Sequence, residues 1–230
     1  MFFDIILTAM KHPSATQKQY FQFAYQTGSD IWTHIPYRYK AEQMLPPMNP
    51  DTLILDIGAG RGLWAAKLVG LGYRVLGIDY VESIVEKVNG RIQEEGYSDR
   101  ARFMLGNALE IPFVDNGFDM ATDIGTFQHL KHAEWPMYVK EIYRVLKDNA
   151  YFLKVSLSKK TPQFLGWNPQ LDEAGDFSKF GVYYHFFTEK EIEDTFGKHF
   201  TILDQQFETY NSQSDPNDSV VLVFTLMQKK

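Results

Sequence analysis

Residues 53–62, LILDIGAGRG, join a short apolar run to a glycine-rich turn. The apolar run predicts a buried β-strand, and the helical pattern of GLWAAKLVGLG (62–72) follows directly. Glycine allows backbone conformations that are closed to other residues and lets a ligand approach the main chain. The stretch therefore predicts a strand–turn–helix unit with a ligand at the turn.

The same alternation of strand and helix patterns continues along the chain. Strands are predicted at VLGID (75–79), ARFMLGNA (101–108), FDMATDIG (118–125) and AYFLKVSL (150–157), with helices over 81–95 and 132–147. A capping box from Thr188 to Glu191 opens a later helix, and only a polar loop separates the final strands FTILDQQFE and SVVLVFTLMQ. We therefore expect an α/β fold with a doubly wound, mostly parallel sheet and an antiparallel C-terminal hairpin.

Length, composition and charge narrow the class of protein. The 230 residues, 44% of them hydrophobic, suffice for a single domain with a sizeable core. The net charge of -6 argues against a nucleic-acid partner, and the absence of cysteine excludes disulfides and Cys-based zinc sites. We expect no metal site, signal peptide or membrane-spanning helix, and a cytoplasmic location. The sequence does not indicate an oligomeric state.

Four features occur together at the glycine turn and the strand ends near it, and the first two argue against a dinucleotide. Its spacing is GxGxG, one residue shorter than the fingerprint GxGxxG. Asp56 precedes the glycines and can attract the cationic amino group of a methionine moiety, whereas it would repel a pyrophosphate. Asp79 ends the second strand, where it can accept two ribose hydroxyls, and Tyr80 beside it can stack on adenine. Asn107 and Ala108 follow the third strand, where a side-chain amide can pair with the adenine edge.

These motifs resemble those of the class I S-adenosylmethionine-dependent methyltransferases over about residues 52–157. LDIGAGRG is similar to the family's first motif and GIDYVES to its second. GNALEIPFVDNGFD is similar to the third, with Asn107 in place of the usual Asp, and ATDIGTFQHL to the fourth. The resemblance implies a Rossmann-like sheet of seven strands and S-adenosyl-L-methionine as cofactor. The cofactor-binding residues that we expect are Asp56, Gly58, Ala59, Gly60, Gly62, Asp79, Tyr80, Asn107, Ala108 and Asp123.

Two aromatic-rich segments flank the core. We divide the single domain into a helical N-terminal cap (1–50), a cofactor-binding core (51–157), a substrate-covering insertion (158–187) and a C-terminal helix with a hairpin (188–230). Both flanking segments can fold over the strand ends, which predicts a covered pocket for a small, planar or apolar acceptor. Alternatively, their aromatic residues only pack the segments onto the core. Those of the insertion include Phe164, Trp167, Phe177, Phe180, Tyr183 and Tyr184.

Each candidate ligand also has a structural alternative. The glycines can mark a tight turn alone, and Asp79 can cap the helix over 81–95. Tyr80 and Trp64 can be core aromatics. Asp123 can either meet the methionine end of the cofactor or bond only to nearby backbone amides.

Methyl transfer from a sulfonium depends mainly on aligning acceptor, methyl and sulfur, and needs a general base only when the acceptor must lose a proton. His129 is our candidate for this base because of its usual pKa range, and its alternative is a structural role. His185 and His34 are further candidates. Two other functions stay open, a nicotinamide-dependent oxidoreductase and a non-catalytic binder of S-adenosylmethionine.

Overall fold

The computed structural model describes residues 17–162, 170–173, 175–179, 181–211 and 219–230. Its α-helices, numbered in chain order, are α1 (Gln17–Thr27), α2 (Tyr37–Gln43), α3 (Leu63–Gly70), α4 (Glu82–Glu94), α5 (Trp135–Val145) and α6 (Glu189–Phe196). Short 3₁₀ turns span Ile31–His34, Phe127–His129 and His132–Glu134. The strands are β1 (Leu53–Ile57), β2 (Arg74–Asp79), β3 (Ala101–Leu105), β4 (Phe118–Ile124), β5 (Leu146–Leu157), β6 (Phe177–Lys179), β7 (Val182–Tyr184), β8 (Phe200–Asn211) and β9 (Ser219–Lys229).

Seven of these strands form one sheet in the order β3-β2-β1-β4-β5-β9-β8. Strands β1 to β5 are mutually parallel, whereas β9 runs antiparallel to both β5 and β8. The predicted α/β fold with its antiparallel C-terminal hairpin is confirmed. Since the strand order reverses between β1 and β4, a crevice opens beyond their carboxyl ends, where sheets of this kind bind ligands.

Helices cover both faces of the sheet, as its apolar strands require. Side chains of α1, α3 and α4 join one buried cluster, which includes Trp64 and Ile84. Side chains of α5 and α6 join a second cluster, which includes Tyr138 and Ile192. The capping box that opens α6 is confirmed, with Thr188 accepting a hydrogen bond from the Glu191 amide.

Two elements differ from the prediction. Strand β5 begins at Leu146, earlier than the predicted 150, because Leu146 already pairs with Phe118 of β4. The next three residues are exposed and polar, so no apolar pattern indicates a strand there. The insertion contains a small antiparallel hairpin, β6–β7, whose three-residue strands are too short for a periodic signal.

Part of both flanking segments lies outside the described residues, including 1–16 and the predicted lining aromatics Phe164, Trp167 and Phe180. Within the described part of the cap, α1 contacts α4 and β7. No helix among the described residues is long and apolar enough to cross a bilayer.

Candidate active site

A cavity of about 1160 Å³ lies at the carboxyl ends of the parallel strands. Its walls are the glycine turn, the described part of the cap, the turn after β4 and the facing ends of β5, β8 and β9. Pockets for a single small molecule usually measure about 300–1,000 Å³. The cavity is therefore large enough for two ligands side by side.

The glycine turn leaves no room for side chains at two positions. Gly58 has φ +65°, and a Cβ atom there would lie 1.8 Å from Oγ1 of Thr126. Gly60 has φ +51°, and a Cβ atom there would lie 2.8 Å from the hydroxyl of Tyr25 in α1. Both glycines and Ala59 line the cavity; Gly58 and Ala59 are half-buried, and Gly60 is buried.

Gly62 does not line this cavity. A Cβ atom at Gly62 would lie 2.7 Å from Cγ1 of Val88 in α4 and 3.2 Å from the Phe103 ring in β3. A small residue is needed here because helix and strand pack closely against the start of α3. We expected Gly62 to contact the cofactor, but in the structure it allows close packing of Val88 and Phe103.

Asp79 joins the glycine turn to the start of α4. Its Oδ2 accepts a hydrogen bond from the Gly60 amide and its Oδ1 one from the Val81 amide, both at 2.9 Å. Val81, not Asp79, is the N-cap residue of α4. Burial raises the pKa of the Asp79 carboxyl above its usual range. Asp79 lines the cavity, so its structural role and a contact with a ligand are compatible.

Two aromatic residues flank this part of the cavity. Tyr80 lines it beside Asp79, and its ring lies edge-on to that of Phe21 in α1, with 6.1 Å between ring centres. Trp64 also lines the cavity, although it belongs to the buried cluster of α3, and its indole N–H has no partner among the described residues. Both residues can pack in the core and still contact a ligand.

Asp56 has an unsatisfied carboxylate oxygen at the cavity. The residue is 2% exposed, and its Oδ1 accepts a hydrogen bond from the Thr122 hydroxyl at 3.0 Å. Its Oδ2 is buried and has no partner among the described residues. Burial, with a smaller contribution from nearby Asp123 and Asp79, raises the Asp56 pKa to about 7. A buried, unpaired carboxylate oxygen matches the charge of a cationic ligand group.

Asp123 points away from the cavity. It lies in register with Ile57 of β1, whose side chain belongs to the α5–α6 cluster on the opposite face of the sheet. The Asp123 carboxylate accepts hydrogen bonds from the amides of Thr126 and Phe127 and from the Tyr138 hydroxyl. The expected contact with the methionine end of a cofactor is therefore wrong, and the alternative of local backbone bonding describes the structure.

Asn107 and Ala108 line the cavity after β3. The side-chain carbonyl of Asn107 accepts a hydrogen bond from the Leu109 amide at 3.0 Å. Its NH₂ group therefore remains to donate to an acceptor atom of a ligand.

His129 lines the cavity on the turn after β4. Its Nδ1 lies 2.8 Å from the carbonyl oxygen of Tyr183. A carbonyl can only accept, so Nδ1 carries the proton and Nε2 keeps a lone pair, 3.3 Å from Nε2 of Gln128. Burial lowers the His129 pKa to about 4. The imidazole is therefore neutral at physiological pH.

The other two histidine candidates differ in position. His185 does not line the cavity; it is 1% exposed, and its Nδ1 lies 2.5 Å from the Asp176 carboxylate. This contact fixes the insertion and removes His185 as a base for a ligand in the cavity. His34 lines the cavity from the 3₁₀ turn after α1 and is exposed.

Sequence reasoning missed an ion pair that joins the cap to the glycine turn. Arg61 donates two hydrogen bonds of 2.6 Å to the Asp30 carboxylate and one of 3.0 Å to the Tyr25 carbonyl. Asp30 is almost fully buried and also accepts a bond from Thr33. No local pattern indicates this pairing, because the partners lie 31 residues apart.

Comparison with known families and relatives agrees with this geometry. A family profile described as "Methyltransferase domain" matches residues 54–149. The demethylmenaquinone methyltransferase of Symbiobacterium thermophilum is 34% identical over 120 residues, which cover 51% of this chain and 47% of that protein. The ubiquinone/menaquinone biosynthesis C-methyltransferase of Hydrogenovibrio crunogenus is 30% identical over 141 residues, 60% and 52% of the two chains. The chain thus aligns with about half the length of these curated relatives.

A solved structure resembles nearly the whole chain. The 1,6-didemethyltoxoflavin-N1-methyltransferase of Burkholderia thailandensis, with bound 1,6-didemethyltoxoflavin and S-adenosylhomocysteine, superposes with a TM-score of 0.74. The match covers 96% of this chain and 94% of that one at 22% identity. At this identity the likeness establishes the fold alone.

Proposed function

We propose that this chain is a class I S-adenosylmethionine-dependent methyltransferase, the family that its motifs resemble, and that it transfers a methyl group to a small, uncharged acceptor. The observation that carries the proposal is the unpaired Oδ2 of Asp56, which lies at the cavity beside the glycine turn that lines it. A cationic methionine amino group would satisfy that oxygen. The curated relatives named above support the activity.

The remaining cavity residues fit the other parts of the same cofactor. The Asp79 carboxylate uses one lone pair on each oxygen for backbone amides, so both oxygens can still accept ribose hydroxyls. Tyr80 offers an aromatic face to adenine, and Asn107 an amide donor to its ring edge. Gly58, Ala59 and Gly60 let the ligand approach the backbone.

S-adenosylmethionine supplies an electrophilic methyl group on a sulfonium. The chain's own part is to orient the two reactants and to keep water out. The cap closes one side of the cavity through the Arg61–Asp30 pair, and aromatic side chains from α1 form much of that wall. His129 presents a neutral Nε2 whose lone pair accepts a hydrogen bond from the Gln128 amide at 3.3 Å, so a donor group of an acceptor would have to replace Gln128 before His129 could take its proton. Orientation of this kind can contribute about 7–11 kcal/mol to lowering the barrier.

Binding and turnover test the proposal separately. Calorimetry with S-adenosylmethionine, S-adenosylhomocysteine and NADH compares the cofactors. We expect both S-adenosyl compounds to bind and NADH to give no heat; the reverse would favour an oxidoreductase. Release of S-adenosylhomocysteine is then measured with a panel of acceptors that includes reduced demethylmenaquinone and 1,6-didemethyltoxoflavin. Tight cofactor binding without release from any acceptor would favour a non-catalytic binder.

Asp79→Ala is expected to weaken S-adenosylmethionine binding by about 10- to 150-fold, because hydrogen bonds to a charged group contribute about 1.5–3 kcal/mol. Titration calorimetry measures the change. Glu94→Ala, at the exposed end of α4, is the control and should leave the Kd unchanged. An unchanged Kd in Asp79→Ala would mean that the carboxylate only connects the glycine turn to α4.

His129→Asn is expected to lower kcat by about 10- to 100-fold and to leave the cofactor Kd within about 2-fold. The loss lies at or below the lower limit of general-base effects, about 100-fold, because a base whose pKa is about 4 has only a weak tendency to take up a proton. For the same reason, the pH profile of the unmodified protein should show no His129 titration near 6.5. An apparent pKa near 6.5 that disappears in His129→Asn would contradict this assignment.

We also propose that a small-molecule acceptor is the only partner and that the protein is cytoplasmic. The acidic net charge supports the first, since it disfavours nucleic acid.

A further inference from the structure

One side of the cavity is an aliphatic surface on the antiparallel part of the sheet. Val155 and Leu157 of β5 line it together with Val220 and Leu222 of β9. Leu157 lies opposite Leu222 in the register, and residues two apart on a strand share a face. The four side chains therefore form one continuous apolar surface, which we call the aliphatic floor.

Tyr210 of β8 extends the aliphatic floor with a polar group. It pairs directly with Val220, so its side chain stands on the same face of the sheet, and it lines the cavity. Its hydroxyl is buried and has no hydrogen-bond partner among the described residues. Burial and the nearby Glu208 raise the Tyr210 pKa, so the phenol stays protonated and can donate. Leaving such a group unsatisfied is unfavourable, so it is suited to bond with a ligand.

No charged residue of β5, β8 or β9 lines this side of the cavity, although Glu208 of β8 lies near Tyr210 outside the lining. The Asp, Glu, Lys and Arg residues that line the cavity within the described chain are Asp56, Arg61, Asp79 and Glu134, and the histidines are His34 and His129. None of them belongs to β5, β8 or β9. A ligand over the aliphatic floor therefore gains most when it is uncharged and apolar, with a single atom that accepts a hydrogen bond.

The position of Tyr210 in the sheet separates it from the cofactor half of the cavity. Strand β8 lies four strands from β1, the strand that leads into the glycine turn. With a spacing of about 4.8 Å between strands, the two are roughly 19 Å apart. The Tyr210 hydroxyl thus faces the second ligand rather than the groups that Asp56 and Gly60 would hold.

We propose that Tyr210 is a specificity-determining residue whose hydroxyl donates a hydrogen bond to a carbonyl oxygen or ring nitrogen of a flat, uncharged acceptor lying on the aliphatic floor. This proposal rests on the proposed function, because it assigns the acceptor half of the same cavity. It names a residue in the C-terminal hairpin, outside the motifs that hold the cofactor.

Two stable probes test it without knowledge of the natural acceptor. The protein is first saturated with S-adenosylhomocysteine, and then 1,4-naphthoquinone or naphthalene is titrated while tryptophan fluorescence is followed. The chain has no cysteine, so the quinone has no thiol to react with. We expect Tyr210→Phe to weaken naphthoquinone binding about 10-fold, the size of a neutral hydrogen bond, and to leave naphthalene binding within about 2-fold.

Tyr143→Phe in α5 makes the same chemical change outside the cavity lining and should alter neither probe. Equal naphthoquinone affinity in the unmodified protein and Tyr210→Phe would overturn the proposal. So would an equal loss for both probes, which would indicate a structural effect. Binding of S-adenosylhomocysteine without binding of naphthoquinone would also overturn it. Failure to bind S-adenosylhomocysteine, seen in the first step, would instead overturn the proposed function.

Discussion

Gly60→Val is expected to abolish S-adenosylmethionine binding, with a loss of more than about 100-fold, while the protein stays folded. The valine side chain would occupy the space between the turn and Tyr25, where its Cβ atom alone would lie 2.8 Å from the phenol oxygen. It would also cover the backbone that a ligand must approach, and it would have to adopt the positive φ of +51°. A single strained residue costs on the order of 1–3 kcal/mol, less than the stability of a typical domain.

Gly96→Val is the matched control for backbone strain. Gly96 follows α4 with φ +76°, and no atom lies within 4 Å of the position that a Cβ would take. This variant therefore carries similar strain without touching the cavity, and its cofactor Kd should equal that of the unmodified protein. Circular dichroism confirms folding, and calorimetry measures the affinity. Normal affinity in Gly60→Val would show that no ligand approaches the turn at this residue.

The sheet was predictable because its signals are local. The run 53–57 and the glycines after it are adjacent in sequence, and a polar loop between the last two strands suffices to predict their antiparallel pairing. The position of Asp56 before the glycines likewise predicted a residue that lines the cavity. Such features need no knowledge of which strands are neighbours.

The errors arose where a role depends on partners that are distant in the chain. Asp123 lies one residue before the end of its strand and Asp79 at the end of its own, but the register of Asp123 with Ile57 directs it to the other face of the sheet. Gly62 owes its role to Val88 and Phe103, and Tyr210 gains its role only when β8 lies beside β9. Sequence spacing contains none of these neighbours.

Asp56→Asn is expected to weaken S-adenosylmethionine binding by at least about 10-fold and to make the free protein more stable at pH 8. The carboxylate would lose its charge, so a cationic amino group would no longer be attracted to Oδ2. Stability should rise because burial penalises the ionised form and raises the Asp56 pKa from 3.8 to about 7. A shift of about three units corresponds to an upper limit of about 4 kcal/mol.

The way in which stability changes with pH follows from whether the folded and the unfolded chain carry the Asp56 proton. Between about pH 4 and 7 the unfolded chain has already lost the Asp56 proton while the folded chain retains it, so stability falls as the pH rises through this range. Asn lacks this penalty. The difference in Tm between Asp56→Asn and the unmodified protein should therefore be small near pH 4 and reach about 5 °C or more at pH 8.

Cofactor affinity should change with pH in the opposite direction to stability. A protonated Asp56 must lose its proton before it can pair with a cation, so affinity should rise with pH up to about 7 and then level off. Calorimetry in buffers of different ionisation enthalpy should detect proton release below pH 7, and this release should vanish in Asp56→Asn.

Asp119→Asn is a control in which the Tm at pH 8 should change in the opposite direction. Although partial burial acts in the other direction, the ion pair with Lys147, at 2.5 Å, holds the pKa of Asp119 below its usual range, and the residue does not line the cavity. Its replacement should slightly lower the Tm at pH 8 and leave cofactor affinity unchanged. If Asp56→Asn also lowered the Tm, or bound the cofactor with a normal, pH-independent Kd, Asp56 would be a structural carboxylate. A buried Asp56 charge that lowers the stability of the free protein is therefore the evidence that this carboxylate binds a cationic ligand.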